Sequence, residues 1–530
     1  MINKCASYLS AALLSLPLVA QATEQLVGSN ADLRPQLQAQ AAYCAAQSAN
    51  LDGDAQRLLV DFYLQREGRR AWQTEAQQQQ LREQIEQLAD DGLQPDEYPL
   101  PTPSMAEPSE QRDCADLLTS HSYLQALLHL RRGRLLQQRL EPLWRDAQLG
   151  HADPRLATLS LALYHLDDPA RAFAQARPAN ERYRRLRAAY AAQRRQPLAE
   201  WSALPNGPLL RPAQEDARLA ALRTRLAAEG YLHVASNELP EAYDSATAAA
   251  LQRFQAEHGL KDDGILGPAS LVELNLSAQH RRDQLRANLE RLRWLADDLD
   301  AAQVAINVAA AELLVVREGR TLWRTRTQVG RPARRTPLLA SRITRLTLNP
   351  TWTVPPTILR EDKLPAIRED IAYLEQNQLS VFDRDGNRLD PQTLDWSNPG
   401  SILLRQAAGI RNPLGRAAVR FTNPFSVYLH DTPSQQLFDK APRPFSSGCV
   451  RVETIDTLLA WLLAPDEVEG VQSRIASGKT QEYRLQHPAP LLIAYWTAEA
   501  SADGSLHYAP DIYDLDARLI AALAAASTRD

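Results

Sequence analysis

The chain has 530 residues, 44% hydrophobic and 23% charged, and a formal net charge of -5. That length is too great for one ordinary core, and the composition is that of folded domains, not of a disordered or membrane-embedded chain. A charge balance so close to neutral leaves no basic footprint, so no nucleic-acid partner is expected.

The first 22 residues, MINKCASYLSAALLSLPLVAQA, combine Lys4, an apolar run from Leu9 to Val19 and the small-x-small step Ala20-Gln21-Ala22. This is the layout of a cleavable signal peptide, so export and a mature chain starting near Thr23 are expected. The apolar run falls short of the ~20 residues a spanning helix needs, and no membrane span is expected in the mature chain. Loss of this segment removes Cys5 and leaves Cys44, Cys114 and Cys449, an odd number for an oxidising compartment. The economical pairing joins Cys44 to Cys114 and leaves Cys449 as a free thiol; two unpaired buried cysteines are the alternative.

Residues 23–205 are rich in Ala, Leu, Gln and Arg, with helical apolar spacing in Leu117 to Leu136 and Tyr183 to Tyr190. Breaks between Pro95 and Pro108 and at Pro169, Pro178 and Pro197 divide the region into several helices. It reads as a helical scaffold without a catalytic constellation, and Arg131-Arg132 and Arg184-Arg185 read as solvated helix faces.

The texture changes over residues 206–280. Helices are expected from Arg218 to Gly230, from Ser245 through Phe254, and through Leu271 and Leu274. The stretch ATAAALQRFQAEHGLKDDGILGPASLVELN resembles a three-helix peptidoglycan-binding domain in its Phe254-Gln255, Gly259-Leu260 and Asp263-Gly264-Ile265-Leu266-Gly267-Pro268 steps. Its periodic Leu and Phe positions read as core, which leaves any sugar or peptide contact to polar loop residues. Leu285, Leu289, Leu292 and Leu295 then predict one connecting helix over 281–300.

Strand-forming segments follow at 304–308, 313–317, 322–329 and 342–348, separated by Glu318-Gly319 and Gly330-Arg331-Pro332. Over residues 357–404 the strand rhythm breaks; helical segments around 360–376 and the turn Asp383 to Asn387 suit an inserted subdomain. That turn lacks the closing Glu of a calcium loop, and the ten histidines form no His-x-x-x-His pair, so neither a metal nor another cofactor is expected.

Strands resume at 419–422 and 425–430. The second alternates Phe425, Val427 and Leu429 with Ser426, Tyr428 and His430, and delivers an imidazole to its end. Cys449 follows, framed by Ser446, Ser447, Gly448, Val450 and Arg451. A thiol attacks as thiolate, and its pKa falls beside a histidine or a cation, so His430 and Arg451 are expected to lower it. Gly448 permits close backbone approach, so the N–H groups of Gly448 and Cys449 are expected to face a developing oxyanion. A helix over 454–463, a buried strand over 491–497 and a terminal helix over 515–525 complete the reading.

His430 together with Ser446-Ser447-Gly448-Cys449-Val450-Arg451 resembles the signature of the L,D-transpeptidases, enzymes with a YkuD-type catalytic domain. Asn349-Pro350-Thr351-Trp352-Thr353-Val354-Pro355 matches the opening of that domain as well. Ser447 stands where the common form has His, and Asp431 where it has Gly; both departures match the larger periplasmic members of Gram-negative bacteria. The resemblance implies a multidomain α+β chain: helical scaffold to 205, peptidoglycan-binding domain at 206–280, and a mostly β catalytic domain at 301–500. A partly helical capping insert would occupy about 357–404, and 501–530 would form a tail and helix.

The implied chemistry is that of a cysteine acyltransferase of peptidoglycan synthesis. Cys449 is the implied nucleophile, which takes a tetrapeptide donor, releases D-alanine and passes the thioester to an acceptor stem as a 3-3 cross-link. His430 is general base and then acid, oriented by the backbone at Asp431, and Arg451 fixes the loop and its charge. Tyr428, Trp352, Ser446 and Ser447 line the substrate cleft. A periplasmic location, other wall synthases as partners and capture of Cys449 by carbapenems follow from the same resemblance. The alternatives are an L,D-carboxypeptidase or other secreted cysteine hydrolase of the same polymer, and a non-catalytic wall-binding scaffold.

Overall fold

The structure, a computed structural model, describes residues 33–47, 53–101, 108–150, 153–233 and 242–527. Residues 1–22, expected to be a signal peptide, and with them Cys5, lie outside the described residues. The chain divides into two compact units, the first formed by residues 1–134, 152–177 and 526–530 and the second by residues 135–151 and 178–525.

The first unit is helical, as its apolar spacing predicts. Its helices include Gly53–Gln65, Glu75–Gln87, Ser109–Arg132, Pro154–Tyr164 and Pro169–Ala176. Thr74, Asp153 and Asp168 cap three of them by accepting first-turn N–H groups, which satisfies donors a helix start leaves open. Phe62, Tyr123, Leu124, Leu127 and Phe173 fill the core. Cys44, on the helix Leu33–Gln47, is bonded to Cys114 of Ser109–Arg132 across a sequence separation of 70, with 5.3 Å between their Cα atoms.

The second unit includes three short helices, Leu219–Ala228, Ser245–Glu257 and Pro268–Leu274, packed around Leu222, Leu226, Leu251, Phe254 and Leu274. The expected single connecting helix is two: Ala278–Trp294 stops at Leu295 and Ala296–Ala301 follows. Arg291 in the first of them is fully buried and donates to Glu141 at 2.8 Å and to Asp516.

Among the described residues, fifteen strands are numbered in chain order. They are β1 Trp144–Arg145, β2 Val304–Asn307, β3 Glu312–Arg317, β4 Arg320–Gln328 and β5 Leu339–Leu348, then β6 Trp352–Thr353, β7 Leu379–Phe382, β8 Arg388–Leu389 and β9 Leu403–Gln406. After them come β10 Ala417–Phe421, β11 Leu429–His430, β12 Val450–Val452, β13 Gln481–Ala494, β14 Ala498–Ala500 and β15 Leu506–Tyr508. Nine form one sheet in the order β1-β5-β10-β11-β12-β4-β3-β2-β13, and a further β5–β13 pairing closes it into a ring with β1 outside. Ile306, Leu313, Ile343, Leu346, Val419, Leu429, Val450 and Ile493 are buried in its core.

Three segments differ from the sequence reading. The strand expected over 425–430 is only β11, because Asn423 accepts the N–H groups of Phe425 and Val427 at 3.0 and 3.1 Å and Ser426 takes φ 56°. This turn leaves Phe425 46% exposed instead of inward-facing. The strand predicted over 491–497, β13, begins ten residues before its predicted start and ends at Ala494; its register shifts between Arg484 and Ala489, around Pro488, a residue type that argues against a strand in sequence. The insert, predicted partly helical, also supplies strands to the sheet β6-β9-β7-β8, which shares a core of Trp352, Ile367, Leu374, Val381 and Leu404 with the segment just before it. No described helix is long and apolar enough to cross a membrane.

Candidate active site

The ring ends one of its faces in a cleft of about 360 Å³ whose lining includes Trp352, Tyr428, His430, Ser446, Ser447, Cys449 and Arg451. A larger groove of about 950 Å³, lined by Arg182, Arg184, Arg320 and Glu499 among others, has no cysteine or histidine in its lining. Sheet register assembles the cleft: His430 pairs with Ala418 on β10 and with Arg451 on β12, and Leu429 pairs with Val450. Residues twenty-one apart in sequence are thereby neighbours, with Cys449 one step outside the register.

His430 is 4% exposed, and its Nδ1 lies 2.6 Å from the Asp431 carbonyl oxygen. Nδ1–H donation to that carbonyl leaves Nε2 as the basic nitrogen. Burial, and then the Arg451 charge, pull the imidazole pKa down to about 3 against the opposing Asp431 carbonyl. The ring is therefore neutral at any physiological pH. The Asp431 side chain is occupied elsewhere, accepting the Arg416 N–H at 2.9 Å. Its carboxylate is packed so tightly on Gly415, itself at φ +60°, that a Cβ on that glycine would lie 2.2 Å from Oδ2.

Cys449 is the free cysteine among the described residues. Its thiol pKa is raised, not lowered as the sequence suggests: burial outweighs the Tyr428 backbone contact and the Arg420 and Arg451 charges that oppose it. Nearby cations are legible in a sequence; desolvation is not, and here it dominates. The resting pair is accordingly a neutral thiol beside a neutral imidazole.

The turn before Cys449 is braced internally. The buried Ser446 hydroxyl donates to the Cys449 carbonyl and accepts the Gly448 N–H at 3.1 Å. The Gly448 N–H is thus engaged by Ser446, and Ser446 braces the turn while also lining the cleft. Gly448 has φ +114° with no atom closer than 3.5 Å to a Cβ position, so backbone conformation, not space, calls for glycine. Arg451 donates to Gln328 Oε1 at 3.0 Å, and its Nε is buried without a partner among the described residues.

Tyr428 lies 5.6 Å from the His430 ring and carries the Arg420 guanidinium 3.9 Å from its centroid; burial pushes its hydroxyl pKa up to about 12. Trp352 is 8% exposed and belongs to the insert core while also lining the cleft. Ser447 is exposed and accepts from Arg334 at 3.0 Å.

Residues 301–469 match the family model described as the L,D-transpeptidase catalytic domain, YkuD. The chain carries a YkuD-type catalytic domain. Residues 57–189 match a model described as a scaffold domain and 215–274 one described as "Putative peptidoglycan binding domain". A Haemophilus influenzae protein named "Putative L,D-transpeptidase" is 33% identical over 243 residues, which are 44% of this chain and 48% of that one. The chain thus spans about half the length of that curated relative. Among solved structures, an L,D-transpeptidase from Xylanimonas cellulosilytica is 16% identical, over 55% of this chain and 99% of that chain, at a TM-score of 0.18. One from Mycobacterium smegmatis is 15% identical, over 36% of this chain and 59% of that chain, at 0.16. Scores this low carry no argument.

Within the YkuD-type domain, His430, Asp431, Ser446, Ser447, Gly448, Cys449 and Arg451 converge as one segment of sheet and turn. Arg420, Gln328, Arg334 and Gly415 also belong to the site, and the sequence reading does not single them out. Only the position of Arg420 on a predicted strand near the His430 strand hinted at a role. No group of His, Cys, Asp and Glu that could hold a metal ion occurs among the described residues.

Proposed function

We propose that the protein is a periplasmic L,D-transpeptidase, exported by residues 1–22, that forms 3-3 cross-links between peptidoglycan stem peptides. The observation that carries this reading is a free cysteine sharing a cleft with a neutral, carbonyl-oriented histidine inside a YkuD-type domain. The region matching a peptidoglycan-binding domain supports the same polymer as substrate.

The reaction starts from the neutral pair. As Cys449 Sγ attacks the carbonyl carbon of the third residue of a tetrapeptide donor, its proton passes to His430 Nε2. General-base transfer in the attacking step suits a thiol whose burial disfavours a standing thiolate. The Cys449 N–H is the proposed oxyanion donor, and the Arg451 charge stabilises the negative intermediate. His430 returns the proton to the departing D-alanine nitrogen, the C–N bond breaks, and a thioester remains. An acceptor side-chain amine then attacks the thioester, giving a proton to His430 that ends on Sγ as the new amide forms. Tyr428, Trp352 and Ser447 contact the donor. Carbapenems acylate the same sulfur in this reading.

Mass spectrometry of the mature protein incubated with disaccharide-tetrapeptide tests the proposal. A Cys449-dependent dimer that has lost one alanine supports it. Tripeptide and free alanine without dimer would turn the reading to a carboxypeptidase.

A further inference from the structure

One cluster on the cleft wall, centred on Arg334, is given no step in this reaction, although it holds the donor contact Ser447. Arg334 ends the short helical turn Pro332–Arg334 between β4 and β5, and its side chain is 11% exposed. Its Nη1 donates to Asp362 Oδ2 at 2.7 Å and to Ser447 Oγ at 3.0 Å. Its Nη2 donates to Glu361 Oε2 at 2.7 Å and to Asp362 Oδ1 at 2.8 Å. Both acids belong to the π-helical turn Leu359–Lys363 of the insert, a rare geometry that concentrates at functional sites.

The loop that carries Arg334 is itself fastened to the Cys449 turn. The Arg331 N–H donates to the Ser446 carbonyl at 3.0 Å, and the Ser446 N–H to the Val329 carbonyl at 2.8 Å. Backbone packs so closely on Gly330 that a Cβ there would lie 2.3 Å from the Arg334 carbonyl oxygen. A guanidinium held on both nitrogens by carboxylates is fixed in direction as well as in place. Arg334 holds the Asp362 carboxyl, and Arg360 together with Arg334 the Glu361 carboxyl, below their ordinary pKa range, so the charges persist at neutral pH.

We propose that Arg334 is a positioning residue for the acyl transfer: Glu361 and Asp362 of the insert aim its guanidinium at Ser447, and that contact holds the Gly448–Cys449 turn in its working place. The insert then acts on the chemistry through a fixed cation, in addition to walling the cleft. This rests on Cys449 being the nucleophile.

The test compares mature wild type with Arg334→Gln, Arg334→Lys, Ser447→Ala and the double variant Glu361→Gln/Asp362→Asn. Turnover of disaccharide-tetrapeptide, alkylation of Cys449 by iodoacetamide and thermal unfolding are measured on each. Arg334→Gln and the acid double variant are expected to lower kcat about tenfold, with KM within about twofold of wild type and melting unchanged. Arg334→Lys recovers part of the loss, and Ser447→Ala combined with Arg334→Gln costs no more than either alone, as expected for one shared contact. Unchanged kcat in Arg334→Gln, an effect on KM alone, or full additivity with Ser447→Ala overturns the proposal. If wild type itself fails to turn over the tetrapeptide, the transpeptidase reading falls while alkylation still decides: an altered rate in Arg334→Gln upholds the positioning role, and an equal rate ends it.

Discussion

Two arginines in the second unit separate its structural region from its reactive one. Arg291, on the helix Ala278–Trp294, has no exposed side-chain surface, and Glu141 and Asp516 both hold it by hydrogen-bonded ion pairs. Arg451, two residues after the proposed nucleophile, donates to the neutral Gln328, and among the described residues its Nε is buried without a hydrogen-bond partner. Burial pulls the Arg451 pKa down against the Cys449 charge, whereas the acids around Arg291 push that of Arg291 up despite burial. A cation whose field is already spent on its neighbours stabilises a fold; one left undercompensated has field to spend on a reaction.

The strongest way to break this contrast is Cys449→Ala, expected to abolish cross-linking while leaving circular dichroism and melting unchanged. Residual dimer in the mass spectrum would sink the nucleophile assignment. Next comes Arg291→Ala, which strands two buried carboxylates and is expected to cost about 3–5 kcal/mol in denaturant unfolding. A cost near zero would show that the network is not what welds the helix to its surroundings.

Arg451→Gln should do the reverse of Arg291→Ala, lowering kcat by about tenfold or more with little change in unfolding free energy. Equal losses of stability in the two variants would erase the distinction. Gly415→Ala is expected to lower kcat by a smaller factor, because the new methyl displaces the Asp431 carboxylate and with it the carbonyl that orients His430; unchanged kinetics would separate the two parts of Asp431.

The smallest effect is one of pH. A histidine whose pKa is depressed to about 3 is already neutral above that value, and a thiol raised by burial stays protonated past the usual thiol range. The profile of kcat/KM is therefore expected to be flat from about pH 5 to pH 8. A break near the ordinary imidazole value would show that His430 is hydrated in solution.

The same contrast explains how much was legible in the sequence. Cys449, His430 and Arg451 stand in one short segment whose order is distinctive, and the Cys44–Cys114 bond was inferred from cysteine arithmetic. The helical first unit and β-rich catalytic region follow from spacing. The partners that complete the site come from afar: Arg334 and Asp362 are 28 residues apart, Arg420 and Thr347 73 apart, and no periodicity announces such meetings. The raised thiol pKa depends on burial, which only the packed structure supplies. The length of β13 was hidden by Pro488 and Pro490, and the short β11 by an Asn423 turn within an alternating run.

The ring formed by the β5–β13 pairing leaves its central strands without an open edge. An incoming extended chain has no row of vacant amides along which to lie, so it cannot be read there as one more strand. Selection at the cleft falls instead to the lip, where side chains from β10–β12 and the insert meet, and a new preference could be reached by exchanging lip residues while the ring stays intact.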